Sequence, residues 1–369
     1  MKLSIAKDQL SDGLQSIHTI VPSRTTLPIL SNALVRTVEG QVELTVTDLD
    51  VTISATVEAR VEVPGAVTLP VKKLVSIVRE LAVGEIEIEV DDKLYAAISA
   101  GPSFFRINGL SADDFPPMPD VGGAPLVTIP QDRFKRLIQR TAFAASNDES
   151  RYVLNGLFFS FKEHKLTTVA TDGRRLALAE DEVELSLDGA CEFIVPSKSV
   201  AEMIRLVKGT GEVEIWVAQN QAAFNFKPEQ GVRSRLVTKL VEGVYPSYQQ
   251  VIPRDSKERV TLVREEFVQA LRRAEIMTSE KSNSVKLSFT RDNLLITSNT
   301  PDVGEARESL AVNYKGTDMV IAFNPRFLLD ALEALDDDEV YLELTDELSP
   351  GLLKTTSPFL YVIMPMRLN

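Results

Sequence analysis

The sequence predicts an α+β protein built from three copies of one domain. Three observations carry that prediction: landmarks that recur roughly every 125 residues, segments with period-two alternation, and a pair of amphipathic helices in each interval. A chain of 369 residues exceeds what one hydrophobic core commonly organises. The interval is far too long for a solenoid unit and matches a whole domain.

Each copy opens with a short strand that feeds a helix. The openings are Leu3-Ser4-Ile5 before Asp8-Gln9-Leu10, Val127-Thr128-Ile129 before Asp132-Arg133-Phe134, and Val260-Thr261-Leu262 before Glu265-Glu266-Phe267. A second landmark, Val46-Thr47-Asp48, returns as Ala170-Thr171-Asp172, with a weaker echo at Ser298-Asn299-Thr300. The third comprises Val67-Thr68-Leu69-Pro70, Phe193-Ile194-Val195-Pro196 and Ile321-Ala322-Phe323-Asn324. Each of these runs into a helix with apolar residues at i, i+3, i+4 and i+7: Val71, Leu74, Val75, Val78; Val200, Met203, Ile204, Val207; Leu328, Ala331, Leu332, Leu335. Asn324 suits an N-cap and Pro325 a first helical residue. The six helix windows are 7–24, 71–82, 131–146, 197–208, 264–281 and 324–335.

The remainder alternates as half-buried strands do, for example Val42, Leu44, Val46; Ile86, Ile88, Val90; Val213, Ile215, Val217; Val285, Leu287, Phe289; and Val340, Leu342, Leu344. Proline-bearing connectors, Asp114-Phe115-Pro116-Pro117 and Val244-Tyr245-Pro246-Ser247, close the first two copies. The expected domains are 1–121, 127–250 and 253–369.

Composition removes several classes of function. No apolar run approaches a membrane span, and the first residues, charged from Lys2 onward, lack a secretory h-region, so the expected compartment is the cytoplasm with no membrane partner. The single cysteine, Cys191, precludes an internal disulfide or a cysteine zinc cluster and is expected to pack in a buried strand. His18 and His164 have no triad arrangement around them and are expected at the surface. Gly209-Thr210-Gly211 lacks the phosphate-loop pattern and suits a helix C-cap turn. The run Asp336-Asp337-Asp338-Glu339 lacks calcium-loop spacing and is expected to link the last helix to its strand, with Asp337→Ala silent. A metal-dependent hydrolase using that run is the enzyme alternative. The favoured expectation is no catalytic residue, no metal and no cofactor.

The net charge of −13 argues at first against nucleic acid, but its distribution points the other way. The helix windows sum to +6 and everything else to −19. Arg133, Arg136 and Arg140 fall at i, i+3 and i+7 on one helix face, while Phe134, Leu137 and Thr141 fall on another. Lys72, Lys198 and Arg205 supply positive charge on two further helices. Without interleaved aromatics or a base-reading module, such a surface meets phosphates independently of sequence and in a salt-sensitive way. Phosphate binding by an open scaffold remains the alternative to any closed arrangement.

Four segments, Arg24-Thr25-Thr26-Leu27-Pro28-Ile29-Leu30, Tyr152-Val153-Leu154-Asn155-Gly156, Val169-Ala170-Thr171-Asp172-Gly173-Arg174-Arg175-Leu176-Ala177 and Tyr361-Val362-Ile363-Met364-Pro365-Met366-Arg367-Leu368, closely resemble the bacterial beta sliding clamp family. The resemblance spans the whole chain. It implies a DNA-clamp fold and a head-to-tail homodimer: a ring around duplex DNA, lined by helices and rimmed by sheets. Its partners would be the catalytic subunit of DNA polymerase III, the clamp loader, and other polymerases and repair proteins that carry clamp-binding peptides. Arg24 and Tyr152 are the DNA contacts it implies beside the helix arginines. It places a dimer interface at Lys73, Phe105 and Ile107 on one side and Ile276 and Met277 on the other.

The resemblance also implies a pocket for peptides with a Leu or Phe anchor. It would comprise Leu154, Thr171, Gly173, Arg174, Arg175, Leu176, Pro246, Gln250, Val251, Asn324, Phe327, Leu348, Val362, Ile363, Met364, Pro365, Met366 and Arg367. Arg174, Gln250, Ser282 and Phe327 depart from the family's commoner residues. The alternating Val362, Met364 and Met366 read, on their own, either as a last core strand or as a pliable apolar surface. The tail from Met364 is expected to be dispensable for folding.

Overall fold

The alternating segments become strands and every pairing among the described strands is antiparallel. The computed structural model describes residues 1–22, 25–82, 84–185, 189–279, 283–301 and 303–367. Six α-helices occur among them: α1 (Lys7–Ile17), α2 (Val71–Glu80), α3 (Gln131–Ala142), α4 (Ser197–Leu206), α5 (Arg264–Glu275) and α6 (Pro325–Glu333). All six windows contain a helix, but each helix is shorter than its window. After α1 the chain turns into a 3-10 segment, His18–Ile20, since Thr19, Ile20 and Val21 are β-branched residues that crowd a helical turn. The residues that are helical carry a net +4, so the basic bias of the helices survives the shortening.

The chain divides into two compact units. The first comprises Met1–Lys135, Val183–Asp188 and Lys198–Leu240. It holds an eight-stranded sheet ordered Val127–Pro130, Glu212–Val217, Gln221–Lys227, Arg233–Lys239, Val51–Glu58, Gln41–Thr47, Asn32–Val38, Ala66–Pro70. Its second sheet has five strands, ordered Arg60–Val63, Lys2–Ala6, Glu85–Val90, Tyr95–Ala100, Ser103–Asn108.

The second unit comprises Arg136–Glu182, Gly189–Ser197 and Val241–Asn369. Its eight strands run Cys191–Pro196, Gly156–Lys162, Lys165–Thr171, Arg175–Glu182, Phe359–Ile363, Gly351–Lys354, Glu339–Leu344, Glu258–Val263. Four more run Gly304–Ala311, Asn293–Thr300, Val285–Thr290, Met319–Phe323.

Each large sheet therefore joins strands from two successive repeats, and the middle repeat contributes to both. In the first sheet the joint pairs Thr238 with Val51, and Lys239 N–H donates to the Asp50 carbonyl at 2.9 Å. In the second, Leu176 pairs with Val362, and Met364 N–H donates to the Arg174 carbonyl at 3.0 Å. The two joints have one geometry, as a repeated domain requires.

The apolar helix faces are buried as their periodicity predicts. Val71, Leu74 and Val78 of α2, Val200 and Met203 of α4, and Leu328, Ala331 and Leu332 of α6 are in the core, as are Phe134 and Leu137 of α3. Asn324 caps α6 by accepting the Arg326 N–H at 2.9 Å, with Pro325 in the first turn. Gly209 and Gly211 both take positive φ in the turn after α4. Cys191 departs from expectation: it begins its strand and is half-buried, while Phe193, Ile194 and Val195 fill the core.

Candidate peptide pocket and nucleic-acid surface

The recurring Thr-Asp landmark is a hairpin turn built twice. In the second repeat the Thr171 hydroxyl donates to the Arg175 carbonyl at 2.5 Å and accepts the Gly173 N–H, while Asp172 Oδ1 accepts the N–H groups of Arg174 and Arg175. In the first repeat Thr47 donates to the Val51 carbonyl and accepts the Leu49 N–H, and Asp48 Oδ1 accepts from Asp50 and Val51. Position three of each turn is left-handed, φ +78° at Leu49 and +84° at Gly173. Leu49 bears the strain of that conformation. Glycine avoids it, and it also spares space: a Cβ at 173 would lie 3.0 Å from Arg151 Nη1.

Below this turn lies a contiguous apolar floor. Phe158, Val169, Leu176, Ile194, Tyr245, Leu352 and Val362 pack together, with Leu154, Tyr248 and Ile252 against them. The Phe158 and Tyr245 rings stack at 4.7 Å between centroids. Gly156 lets its strand approach its neighbour, since a Cβ there would sit 2.5 Å from the Val195 carbonyl oxygen. Burial pushes the Tyr245 phenol well above its ordinary range; the Thr171 backbone counters this in part, yet the hydroxyl has no well-formed hydrogen bond.

Over the same unit, Gly173, Arg174, Pro246, Gln250, Val251, Met364, Met366 and Arg367 are exposed and Thr171, Asn324, Phe327 and Pro365 half-buried. The tail is held by its backbone: Met366 N–H donates to the Ala322 carbonyl at 2.7 Å. The two methionine side chains are thus displayed from a fixed main chain. Leu348, 77% exposed, lines a groove of about 600 Å³ with Lys257, Glu258, Thr317 and Met319. Ser282 lies outside the described residues.

Two expected pocket residues sit lower than a ligand contact would. Ile363 is fully buried and shares a backbone pair with Arg175, because the strand alternates and Val362 already faces the apolar floor. The Arg175 guanidinium donates from Nε to Asp172 (3.1 Å), from Nη1 to Asp330 (2.6 Å) and from Nη2 to the Phe143 carbonyl (2.9 Å). It lies 4.5 Å from the Phe327 ring centroid and 5.7 Å from that of Phe143. Burial alone would lower its pKa, but Tyr361, Asp330 and Asp172 together raise it, so the charge is firmly held.

The expected arginine stripe is corrected at one position. Arg140 is 6% exposed and its guanidinium binds Asp337 at 2.8 Å and Ser357 Oγ at 2.6 Å. Arg140 keeps its place on the helix face, but Asp337 of the linker after α6 and Ser357 cover that end of α3, a neighbour that spacing along one helix does not reveal. Arg136 is exposed and Arg133 half-buried on α3, both with partners. Lys72 is exposed on α2, and Lys198 is exposed on α4 beside its ion-pair partner Asp48. Arg205 is occupied: it donates to the Gln15 and Ser16 carbonyls at 2.7 and 2.6 Å and so closes the C-terminus of α1. Tyr152 is 59% exposed, and Arg24 lies outside the described residues.

The expected dimer residues lie near two sheet edges. Phe105 and Ile107 are half-buried on Ser103–Asn108, an edge strand of the first unit's five-stranded sheet, and Lys73 is exposed. Ile276, 69% exposed, and Met277 follow α5 in the second unit, whose four-stranded sheet has Gly304–Ala311 at one edge. Phe104, on the same strand beside Phe105, is 65% exposed, as alternation along the strand assigns it. His18 and His164 are exposed, and no cluster of three metal-ligating side chains occurs among the described residues. The Asp336–Asp338 run does link α6 to its strand, but Asp337 is committed to Arg140.

Family comparisons agree along the full chain. The N-terminal, central and C-terminal domain models of the DNA polymerase III beta subunit match residues 1–119, 128–247 and 249–367. The beta sliding clamp of Chlamydia pneumoniae is 36% identical over 369 residues, covering all of both chains. The chain belongs to the bacterial beta sliding clamp family. The beta sliding clamp of Bacillus subtilis is 31% identical over 381 residues, again with full coverage of both. A crystal structure of the Bacillus subtilis clamp superposes with a TM-score of 0.93 at 30% identity, and one of the Pseudomonas aeruginosa clamp bound to griselimycin with 0.93 at 34%; both cover all of each chain. The three-domain clamp fold with antiparallel sheets is therefore this chain's fold, and its role is that of an accessory processivity factor, not a catalyst. No helix among the described residues is long and apolar enough to cross a membrane.

Proposed function

We propose that two copies of this chain close head to tail into a ring around duplex DNA in the cytoplasm, and that the pocket of the second unit tethers replication enzymes to it. The repeats at 1–121, 127–250 and 253–369 are the proposed ring segments. Lys72, Arg133, Arg136, Lys198, Tyr152 and Arg24 are the proposed phosphate contacts. Arg140 and Arg205 leave that set, since their guanidinium Nη groups are bound within the fold.

The observation that carries the reading is the family membership along the whole chain, joined to an apolar floor in the same unit as the exposed Met364 and Met366. Such a surface accepts short segments with a Leu or Phe anchor and tolerates variation around it. The proposed ligands are peptides from the polymerase III catalytic subunit, the clamp loader, and other polymerases and repair proteins. Lys73, Phe105 and Ile107 of one copy would meet Ile276 and Met277 of the next, and a heterologous contact of this kind has to close or it grows filaments. The solution mass tests the closure. Twice 40.8 kDa at micromolar concentration is expected, and a monomer there contradicts the ring.

A further inference from the structure

We propose that Asp330 is a positioning residue of the peptide pocket, acting through Arg175 to fix both the Thr171–Arg175 turn and the Phe327 ring. The inference rests on the peptide-pocket reading above. Asp330 lies one turn after Phe327 on α6, and its two oxygens are divided between two arginines: Oδ2 to Arg175 Nη1 at 2.6 Å and Oδ1 to Arg326 Nε at 2.8 Å. Arg175 belongs to the hairpin that displays Gly173 and Arg174, and its carbonyl receives the Thr171 hydroxyl. One guanidinium therefore ties three things together: the hairpin turn through Asp172, α6 through Asp330, and the residue after α3 through the Phe143 carbonyl.

The Phe327 ring lies against the guanidinium at 4.5 Å. The Phe327 carbonyl accepts the hydroxyl of Tyr361 at 2.8 Å, so the ring's backbone is anchored and its side chain is what Arg175 steadies. Because Arg174 also accepts the Met364 N–H, a displaced turn carries the methionine tail with it. Removing the Asp330 carboxylate leaves Arg175 hydrogen-bonded to Asp172 and the Phe143 carbonyl, and the guanidinium loses its link to α6, the helix that carries the Phe327 ring. Asp330 itself need not touch the ligand.

The test uses the full chain, a fluorescent decapeptide with adjacent Leu and Phe anchors, and four variants: Asp330→Ala, Asp330→Asn, Arg175→Lys and the double Asp330→Ala/Arg175→Lys. Anisotropy gives the affinity of each, and thermal melting shows that each is folded at the assay temperature. Asp330→Ala should weaken the peptide about tenfold. Asp330→Asn, which keeps shape and one acceptor, should fall between it and wild type. The double variant should bind no more weakly than Arg175→Lys, since Asp330 acts only through the guanidinium. A purely structural Asp330 would lower the melting temperature and leave the affinity of the folded protein unchanged, which overturns the proposal, as would losses that add in the double variant. Failure of the wild type to bind the peptide would overturn the pocket reading as well, and so differs from a wild type that binds while Asp330→Ala binds equally well.

Discussion

Asp337 shows how a single contact changes what a residue is for. Its carboxylate is the main partner of a nearly buried guanidinium, and Arg140 Nε already lacks a hydrogen bond. Asp337→Ala leaves that cation beneath the surface without its ion-pair partner, so we expect a loss of about 3 kcal/mol in unfolding free energy, measurable by chemical denaturation. The sequence reading expected silence there, because an acidic run between helix and strand looks solvated until its partner is known. Tyr245→Phe should go the other way, raising stability by on the order of 1 kcal/mol, because it removes a buried hydroxyl with no good partner. Single-residue roles were the least legible in the sequence. Arg175 and Asp330 are 155 positions apart, and no local pattern pairs them.

At the scale of elements, patterning did most of the work. The alternating strands, the apolar faces of α2, α4 and α6, and the Asn324-Pro325 start of α6 stand where periodicity and capping chemistry put them. Asn324→Ala should cost about 1 kcal/mol by loss of that cap, seen as a lower melting temperature. Helix ends overextend in the sequence because amphipathic spacing continues past the last helical turn, into the 3-10 segment His18–Ile20 in the case of α1, and the cross-repeat sheets are not legible because alternation reports which face a residue occupies and not which strand lies beside it. The tail illustrates the same limit. Met364 and Met366 each make a backbone hydrogen bond, so truncation before Met364 should cost about 1–3 kcal/mol, where the sequence suggested none. Truncation before Arg367 keeps both bonds and should leave the melting temperature unchanged.

For the whole molecule, charge sets the conditions under which it works. Several carboxylates titrate below their ordinary range: Glu62 through Lys2, Asp91 through the Tyr95 N–H, Asp148 through Ser150, Glu308 through Arg273, and Asp346 through the Leu348 N–H. A depressed carboxylate contributes stability above its unfolded value of about 4 and loses it as pH falls through the folded value. The melting temperature should therefore be flat near neutrality and fall steadily below about pH 4.

With a net charge of −13, simple electrostatic attraction to DNA is weak and easily screened, so lasting attachment has to come from linkage. The decisive measurement is retention of the protein on nicked circular duplex, after assembly by a bacterial clamp loader, at high salt and before and after the circle is cut. Retention on the closed circle with rapid loss on cutting is the expected result; loss at the same rate from circular and linear DNA would contradict the clamp.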